Sequence, residues 1–256
     1  MFIPLYDSNS LQRIRLQYVT ITLILVNAAV FFLTVMDGER FADAAVLGFG
    51  FIPSVVYDHL ELDPAFVVVP ENLTFVTYAF LHGDLLHLGG NMLFLWVFGD
   101  NVEDALGHFR FLIFYLACAA AGAWAHAALA PDSPIPLIGA SGAVAGIVAA
   151  YLILHPKVKI WVLAFARIPL RLPAWVVLAL WIGFQFLMLV GGLDDQISFA
   201  THVGGILAGA ALVLLLRRGD QPVFDKEIVT PRAVETRQES AVEPVEAAPV
   251  PRWGRQ

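Results

Sequence analysis

The feature that most constrains this 256-residue chain is a recurrence of charge-free apolar windows long enough to span a membrane. A helix needs about 20 apolar residues to cross a hydrocarbon core of roughly 30 Å. Five windows reach that length: 16–36, 111–131, 133–156, 172–193 and 196–216. A sixth, 85–99, has only 15 residues between two aspartates, so its helix must extend past those charges or end in a watery cavity. We predict an all-α polytopic membrane protein with six transmembrane helices.

The composition supports this class and excludes others. Apolar residues make up 59% of the chain and charged residues 14%, against about 45–50% and about 25% in soluble domains. The formal net charge of −7 leaves no basic surface for nucleic acid. A single cysteine excludes an internal disulfide.

Lysine and arginine positions predict the orientation, because cytoplasmic loops carry an excess of them. With the N-terminus inside, the inner segments hold fourteen basic residues and the outer loops hold only Arg40. We therefore expect both termini in the cytoplasm. The apolar windows predict a short N-terminal segment at 1–15 and a membrane domain at 16–216 with a long first outer loop at about 37–83, and the charged, proline-containing composition of 217–256 predicts a disordered tail.

Four polar side chains are expected at one depth inside these spans. Counted from the charges that end their helices, Ser141 and His202 lie about 24 and about 22 Å up at helical rise. His87 and Asn91 lie about 24 and about 18 Å up, and their spacing of four places them on one helix face. Polar groups within spans are costly and are functional candidates by default, so this layer is the candidate site.

Small residues explain how the helices that carry this layer can approach each other. Glycine pairs with GxxxG spacing, which allow close packing in lipid, occur in the fourth and sixth spans at Gly142 and Gly146 and at Gly205 and Gly209. His202 lies on one of these packing faces and Ser141 adjoins the other. We therefore expect a hydrogen bond between Ser141 and His202, the minimum pair for nucleophilic catalysis.

The chemistry that this pair predicts is acyl transfer. His202 would remove the proton of Ser141 as a general base and later protonate the leaving amine. The tetrahedral intermediate needs preorganised donors for its oxyanion. Candidates are Asn91, His87 and the backbone N–H of Ser141.

At this point the residues resemble the rhomboid family of intramembrane serine proteases. The matching motifs are Gly139-Ala-Ser-Gly142, His202-Val-Gly-Gly205, and His82 and His87 followed by Asn91. The stretch from Phe98 to His108 also looks like the bacterial members. The resemblance covers roughly residues 70–210, and its combination with six spans is more specific than any one motif.

The resemblance implies a dyad of Ser141 as nucleophile and His202 as base, without a required aspartate. The oxyanion and substrate-binding positions that it implies are Asn91, His87, His82, Gly139 and Gly142. It implies no metal, nucleotide or other cofactor. The expected partners are single-pass transmembrane substrates, cut in or beside their membrane helix, and the lipid bilayer, with the protein in a bacterial inner membrane.

Two further points follow from the resemblance. The fifth helix is thought to gate substrate entry, which would place Trp181 and Gln185 near the gate. Some members carry an aromatic residue that stacks on the histidine, and this chain has Ala145 at that position. Other contacts must therefore orient the base here.

Two other functions stay open. A catalytically silent rhomboid-like protein would bind and escort client helices, although such proteins lose the nucleophile or base and this chain has both. A small transporter with a polar midplane site would be expected to show a repeat or a paired charge within its spans, and neither is evident. The sequence specifies neither the natural substrate nor an oligomeric state.

Overall fold

The structure of the chain, a computed structural model, is mostly helical, as predicted. It describes residues 2–36, 38–165, 167–192 and 198–224. In chain order the helices are α1 (Tyr18–Met36), α2 (Glu39–Phe49), α3 (Pro53–Val56), α4 (Thr74–Thr77), α5 (Leu85–Leu106), α6 (His108–Leu129), α7 (Ser141–Leu154), α8 (Ala174–Gly191) and α9 (Phe199–Leu216). Each of the six predicted windows overlaps one of the helices α1, α5, α6, α7, α8 and α9.

Four of these helices, α1, α6, α8 and α9, are long and apolar enough to cross a membrane. Helix α7 is apolar but has only 14 residues. Helix α5 has 22 residues and continues past Asp100 to Leu106, so the short sixth window is extended beyond its charges. The described residues therefore contain four candidate membrane spans, and the count of six spans stays a prediction.

Three short strands form a small sheet that the sequence analysis did not predict. They are β1 (Phe2–Asp7), β2 (Lys159–Ala164) and β3 (Ile168–Pro173), antiparallel in the order β1-β2-β3. The sheet joins the predicted N-terminal segment to the connection between α7 and α8. The carboxylate of Asp7 accepts hydrogen bonds from the Tyr151 hydroxyl at 2.6 Å and the Asn101 amide at 3.0 Å, which ties β1 to α7 and α5. Most of the predicted tail, from residue 225 onward, lies outside the described residues.

The two acids near the end of α5 hold the chain that leads into α1. The carboxylate of Glu103, which is fully buried, accepts hydrogen bonds from the N–H groups of Val19 and Thr20 at 3.0 and 2.8 Å. The first N–H groups of a helix have no acceptor within it, so Glu103 caps α1 from another helix. Asp104 likewise accepts from the backbone N–H groups of Gln12, Arg13 and Ile14.

Replacing Glu103 with alanine is expected to lower the free energy of unfolding by about 2–4 kcal/mol, because two N–H groups at the start of α1 lose their acceptor. Thermal unfolding of the purified protein in detergent, followed by tryptophan fluorescence, measures the change. The control Glu39→Ala removes an exposed acid from the first turn of α2 and should alter stability by at most about 0.5 kcal/mol. Equal stability of the two variants would show that the cap contributes nothing.

Helices α7 and α9 are in backbone contact along their glycines, as the GxxxG spacing predicted. A β-carbon added at Gly205 would overlap the carbonyl oxygen of Gly142, and one added at Gly209 would overlap that of Gly146. No side chain separates the two helices at these points. The start of α7, where Ser141 lies, is thereby held beside the first turn of α9.

Candidate active site

A cavity of about 1020 Å³ opens between the helix ends that meet at one end of the bundle. It lies among the N-terminal halves of α5, α7 and α9, the last turn of α6, the part of α8 from Trp181 onward and the segment before α7. Its lining includes the four polar residues expected in one layer: Ser141, His202, His87 and Asn91. The four side chains that sequence depth placed in one layer therefore line one space, which we call the central cavity.

Ser141 is the first residue of α7, and the segment before it is braced from the loop between α1 and α5. Phe51 and Leu137 exchange two backbone hydrogen bonds, of 3.1 and 2.7 Å. The N–H of Gly139 donates to the carbonyl of Tyr78 at 3.0 Å. These bonds fix the approach to α7, so the N–H of Ser141 lies at a helix N-terminus where donors are unpaired and the helix dipole favours negative charge.

His87 packs directly against the backbone of Gly139. Gly139 has a φ of +115°, a conformation that side chains disfavour, and a β-carbon there would lie 2.5 Å from His87 Nε2. Glycine is therefore required twice, by the turn and by the histidine. The amide of Asn91, one turn further along α5, is 6% exposed and donates to the His87 carbonyl at 3.2 Å.

Asp84 fixes the start of α5 and so the position of His87. Its side chain accepts hydrogen bonds from the N–H groups of His87 and Leu86, at 2.9 and 2.8 Å. The hydrogen bond from the His87 N–H is the main cause that holds the pKa of Asp84 below its ordinary value, and the bond from Leu86 adds to it. His82 lies outside the central cavity lining, is buried, and contacts the His87 ring edge-on at 5.1 Å between ring centroids. Burial lowers the pKa of His82 to about 4, and the nearby His87 is the second cause.

His202 is held from α8 rather than by Ser141. Its Nδ1 is 2.8 Å from Oε1 of Gln185, and its ring contacts those of Trp181 and Phe199, at centroid distances of 6.1 and 5.9 Å. Across the described residues no hydrogen bond joins Ser141 to His202, so that expected contact is absent. The physical reason is that equal depth on two helices does not fix the few ångströms between a hydroxyl and a ring nitrogen; the ring is positioned by the bond from Nδ1 to Gln185 on α8.

The remaining predicted site residues lie at different places. Trp181 lines the central cavity, whereas Gln185 is buried behind His202. Gly142 is buried on the packing face, where a β-carbon would lie 2.9 Å from the Thr201 side chain. Gly142 therefore lies in the contact between α7 and α9, and its part in the oxyanion or substrate-binding site stays a prediction.

Sequence reasoning missed a second serine and histidine pair in the same cavity. The hydroxyl of Ser198 is 2.8 Å from Nδ1 of His126 and accepts from the N–H of Thr201, which caps α9. Ser198 and His126 both line the central cavity. Ser198 could have been recognised from the sequence as a serine four residues before His202. Serine is a preferred N-cap residue, and a cap at this position fixes the first turn of α9.

The fold and the central cavity together define a polytopic helical membrane protein with an internal polar site containing serine and histidine. Residues 70–219 match the Rhomboid domain. This match covers more than half of the chain, so the chain belongs to the rhomboid family.

Individual relatives come from bacteria and from mitochondria. The chain is 32% identical to Rhomboid protein 1, mitochondrial, of Saccharomyces cerevisiae over 149 residues, covering 55% of this chain and 41% of that protein. It is 33% identical to Rhomboid protease GluP of Bacillus subtilis over 134 residues, covering 52% and 25%. With Rhomboid protease AarA of Providencia stuartii it shares 29% identity over 208 residues, covering 75% and 70%. The chain spans less than half the length of the first two, and the likeness is not confined to bacterial members.

Proposed function

We propose that this protein is a serine endopeptidase that cuts membrane-embedded substrates, with Ser141 as nucleophile and His202 as general base. One observation carries the proposal: a serine at a helix N-terminus and a histidine with one anchored ring nitrogen line the same cavity. Two relatives, GluP and AarA, are named as rhomboid proteases, which supports the same reading.

The reaction would proceed in two acyl-transfer steps. Nε2 of His202 takes the proton of Ser141 as Oγ adds to the scissile carbonyl, and then gives it to the leaving amine. Water attacks the acyl-enzyme with the same base, which releases the carboxylic acid and restores the serine. Because Ser141 and His202 are not hydrogen-bonded, the pair would have to tighten when substrate binds, as apo catalytic contacts often do.

The oxyanion of each tetrahedral intermediate would be bound by donors at the cavity wall. The Ser141 N–H at the start of α7, the ring of His87 and the amide of Asn91 are the candidate donors. Gly139 permits this arrangement because any larger residue would displace His87. His82 would contribute through its edge contact with His87 rather than by touching substrate.

The substrates we propose are single-pass transmembrane proteins. The central cavity lies between helix ends, so an unwound segment at the end of a substrate helix could enter it from the membrane past α8, where Trp181 lies. We further propose a multi-pass location in a bacterial inner membrane with both termini in the cytoplasm, as the distribution of basic residues predicts.

A fluorophosphonate probe tests the proposal directly, because it phosphonylates activated serines and releases fluoride. The purified protein in detergent is expected to be labelled, with the modified peptide containing Ser141. Labelling should disappear in Ser141→Ala and His202→Ala. Ser198→Ala is the matched control, since Ser198 lies in the same cavity and also contacts a histidine.

The other outcomes separate the alternatives. Label on Ser198 instead of Ser141 would assign the nucleophile to the second pair. No label, under conditions that label a known serine hydrolase, would favour a catalytically silent protein that binds client helices.

A further inference from the structure

We infer that Gln185 is the positioning residue for His202: it fixes the ring so that Nδ1 carries the proton and Nε2 faces the cavity as a base. This inference rests on the proposed function and adds to it a third member from α8. Gln185 Oε1 and His202 Nδ1 are 2.8 Å apart, and the Gln185 side chain is only 3% exposed.

The orientation of the Gln185 amide is determined by its other end. Its Nε2 donates to the backbone carbonyl of Trp181, one turn earlier on α8, at 3.2 Å. Turning the amide over would place an oxygen against that carbonyl and leave the buried nitrogen without its acceptor. Oε1 is therefore the atom that faces His202, and an acceptor there requires a proton on Nδ1.

A proton on Nδ1 leaves Nε2 with a lone pair, which is the form that a general base needs. In serine proteases with a third member, a buried aspartate holds the base in this tautomer. Gln185 would do so without a charge, so its effect is to orient the ring.

This arrangement also supplies the contacts that orient His202 in a chain that has Ala145 where some members have a stacking aromatic residue. Ala145 is fully buried where α7 faces α9, and its methyl group cannot stack on an imidazole. The ring contacts of His202 come instead from Trp181 on α8 and Phe199 on α9. The base is thus contacted from α8 and α9 rather than from Ala145 on α7.

Because Trp181 and Gln185 are on one helix, the position of α8 and the orientation of the base are linked. Trp181 also contacts Phe94 on α5, at a centroid distance of 5.8 Å. A displacement of α8 from the bundle would break the bond between Gln185 and His202 unless His202 moved with it. The enzyme would then be competent only while α8 is packed against α9.

Steady-state cleavage of a single-pass substrate in proteoliposomes tests the role of Gln185. Gln185→Leu should lower kcat by about 10- to 100-fold with little change in KM, because a misoriented base affects the chemical step. Gln185→Glu should restore most of kcat, since a protonated carboxyl can accept from Nδ1 with one oxygen and donate to the Trp181 carbonyl with the other. Leu187→Ala is the control: Leu187 lies on the same helix and is 66% exposed, so its replacement should leave kcat unchanged.

The imidazole 15N spectrum of histidine-labelled protein reads the tautomer without reference to cleavage. Wild type should show His202 as the Nδ1–H form, identified by loss of its signals in His202→Ala, and Gln185→Leu should show a mixture. If leucine lowers Tm, Gln185→Asn, which is too short to reach Nδ1, replaces it.

Unchanged kcat in Gln185→Leu, together with an unchanged tautomer, would overturn the inference while leaving the protease intact. A wild type that cuts no substrate and takes no probe would overturn the proposed function instead, and the tautomer of His202 would still decide the role of Gln185.

Discussion

Ser141→Ala and His202→Ala should each reduce cleavage of a single-pass substrate by at least about 10³-fold, and the double variant should be no worse than either one. The reason is that a nucleophile and its base act as one unit: once either is removed, the other has no function left to lose. If the two residues contributed independently, the fold-losses in kcat of the two single variants would multiply in the double variant. The test is kcat for the two single variants and the double variant under one set of conditions.

The fold of these variants can be checked independently of activity. Neither residue makes a hydrogen bond to the other in the described structure, and Ser141→Ala deletes only a hydroxyl at the cavity wall. Its Tm should therefore stay within about 2 °C of wild type. A multiplicative loss in the double variant, or appreciable activity in Ser141→Ala, would contradict the proposed dyad.

Depth along the helices was predictable because rise per residue is constant. Counting from terminal charges placed Ser141, His202, His87 and Asn91 in one layer, and all four line one cavity. Glycine spacing predicted the close approach of α7 and α9, because only the absence of a side chain lets backbones touch. These inferences use information carried within single helices.

Contacts that depend on how one helix is rotated against another were not predictable. The bond from Gln185 to His202 requires α8 to present that side chain to α9, and the apolar sequence of α8 gives no such direction. The resemblance placed Gln185 only near a gate. The hydrogen bond expected between Ser141 and His202 is absent for the same reason, since equal depth in two helices does not fix the distance between two side chains to a few ångströms.

Pairing between distant segments was missed as well. Strand β1 pairs with β2, which lies about 150 residues later in the chain. The short sequence of β1 lacks the alternation of apolar and polar residues that would predict a strand. The acids Glu103 and Asp104 read as charges that end a span, whereas they bind backbone N–H groups before and within α1. The motif that resembled bacterial rhomboids thus includes residues that hold the N-terminal segment.

Adding one methyl group at Gly205 should both destabilise the protein and abolish its activity. The new β-carbon would overlap the carbonyl oxygen of Gly142, which is backbone and cannot rotate away. The helices α7 and α9 would have to separate, at a cost of about 1–3 kcal/mol for overpacking, or a fall in Tm of roughly 2–12 °C for a chain of this size. The separation would also move His202 away from Ser141, and a shift of about 1 Å can cost about 10²-fold in rate.

Gly183→Ala provides the matched control, because it makes the same chemical change within α8 where a β-carbon would meet no atom within 4 Å. Alanine is favoured over glycine inside a helix by about 1 kcal/mol, so this variant should be as stable as wild type or more stable. Gly205→Ala should therefore fall below wild type in Tm and kcat while Gly183→Ala does not. Equal behaviour of the two variants would mean that α7 and α9 are not held in the backbone contact on which the distance between Ser141 and His202 depends.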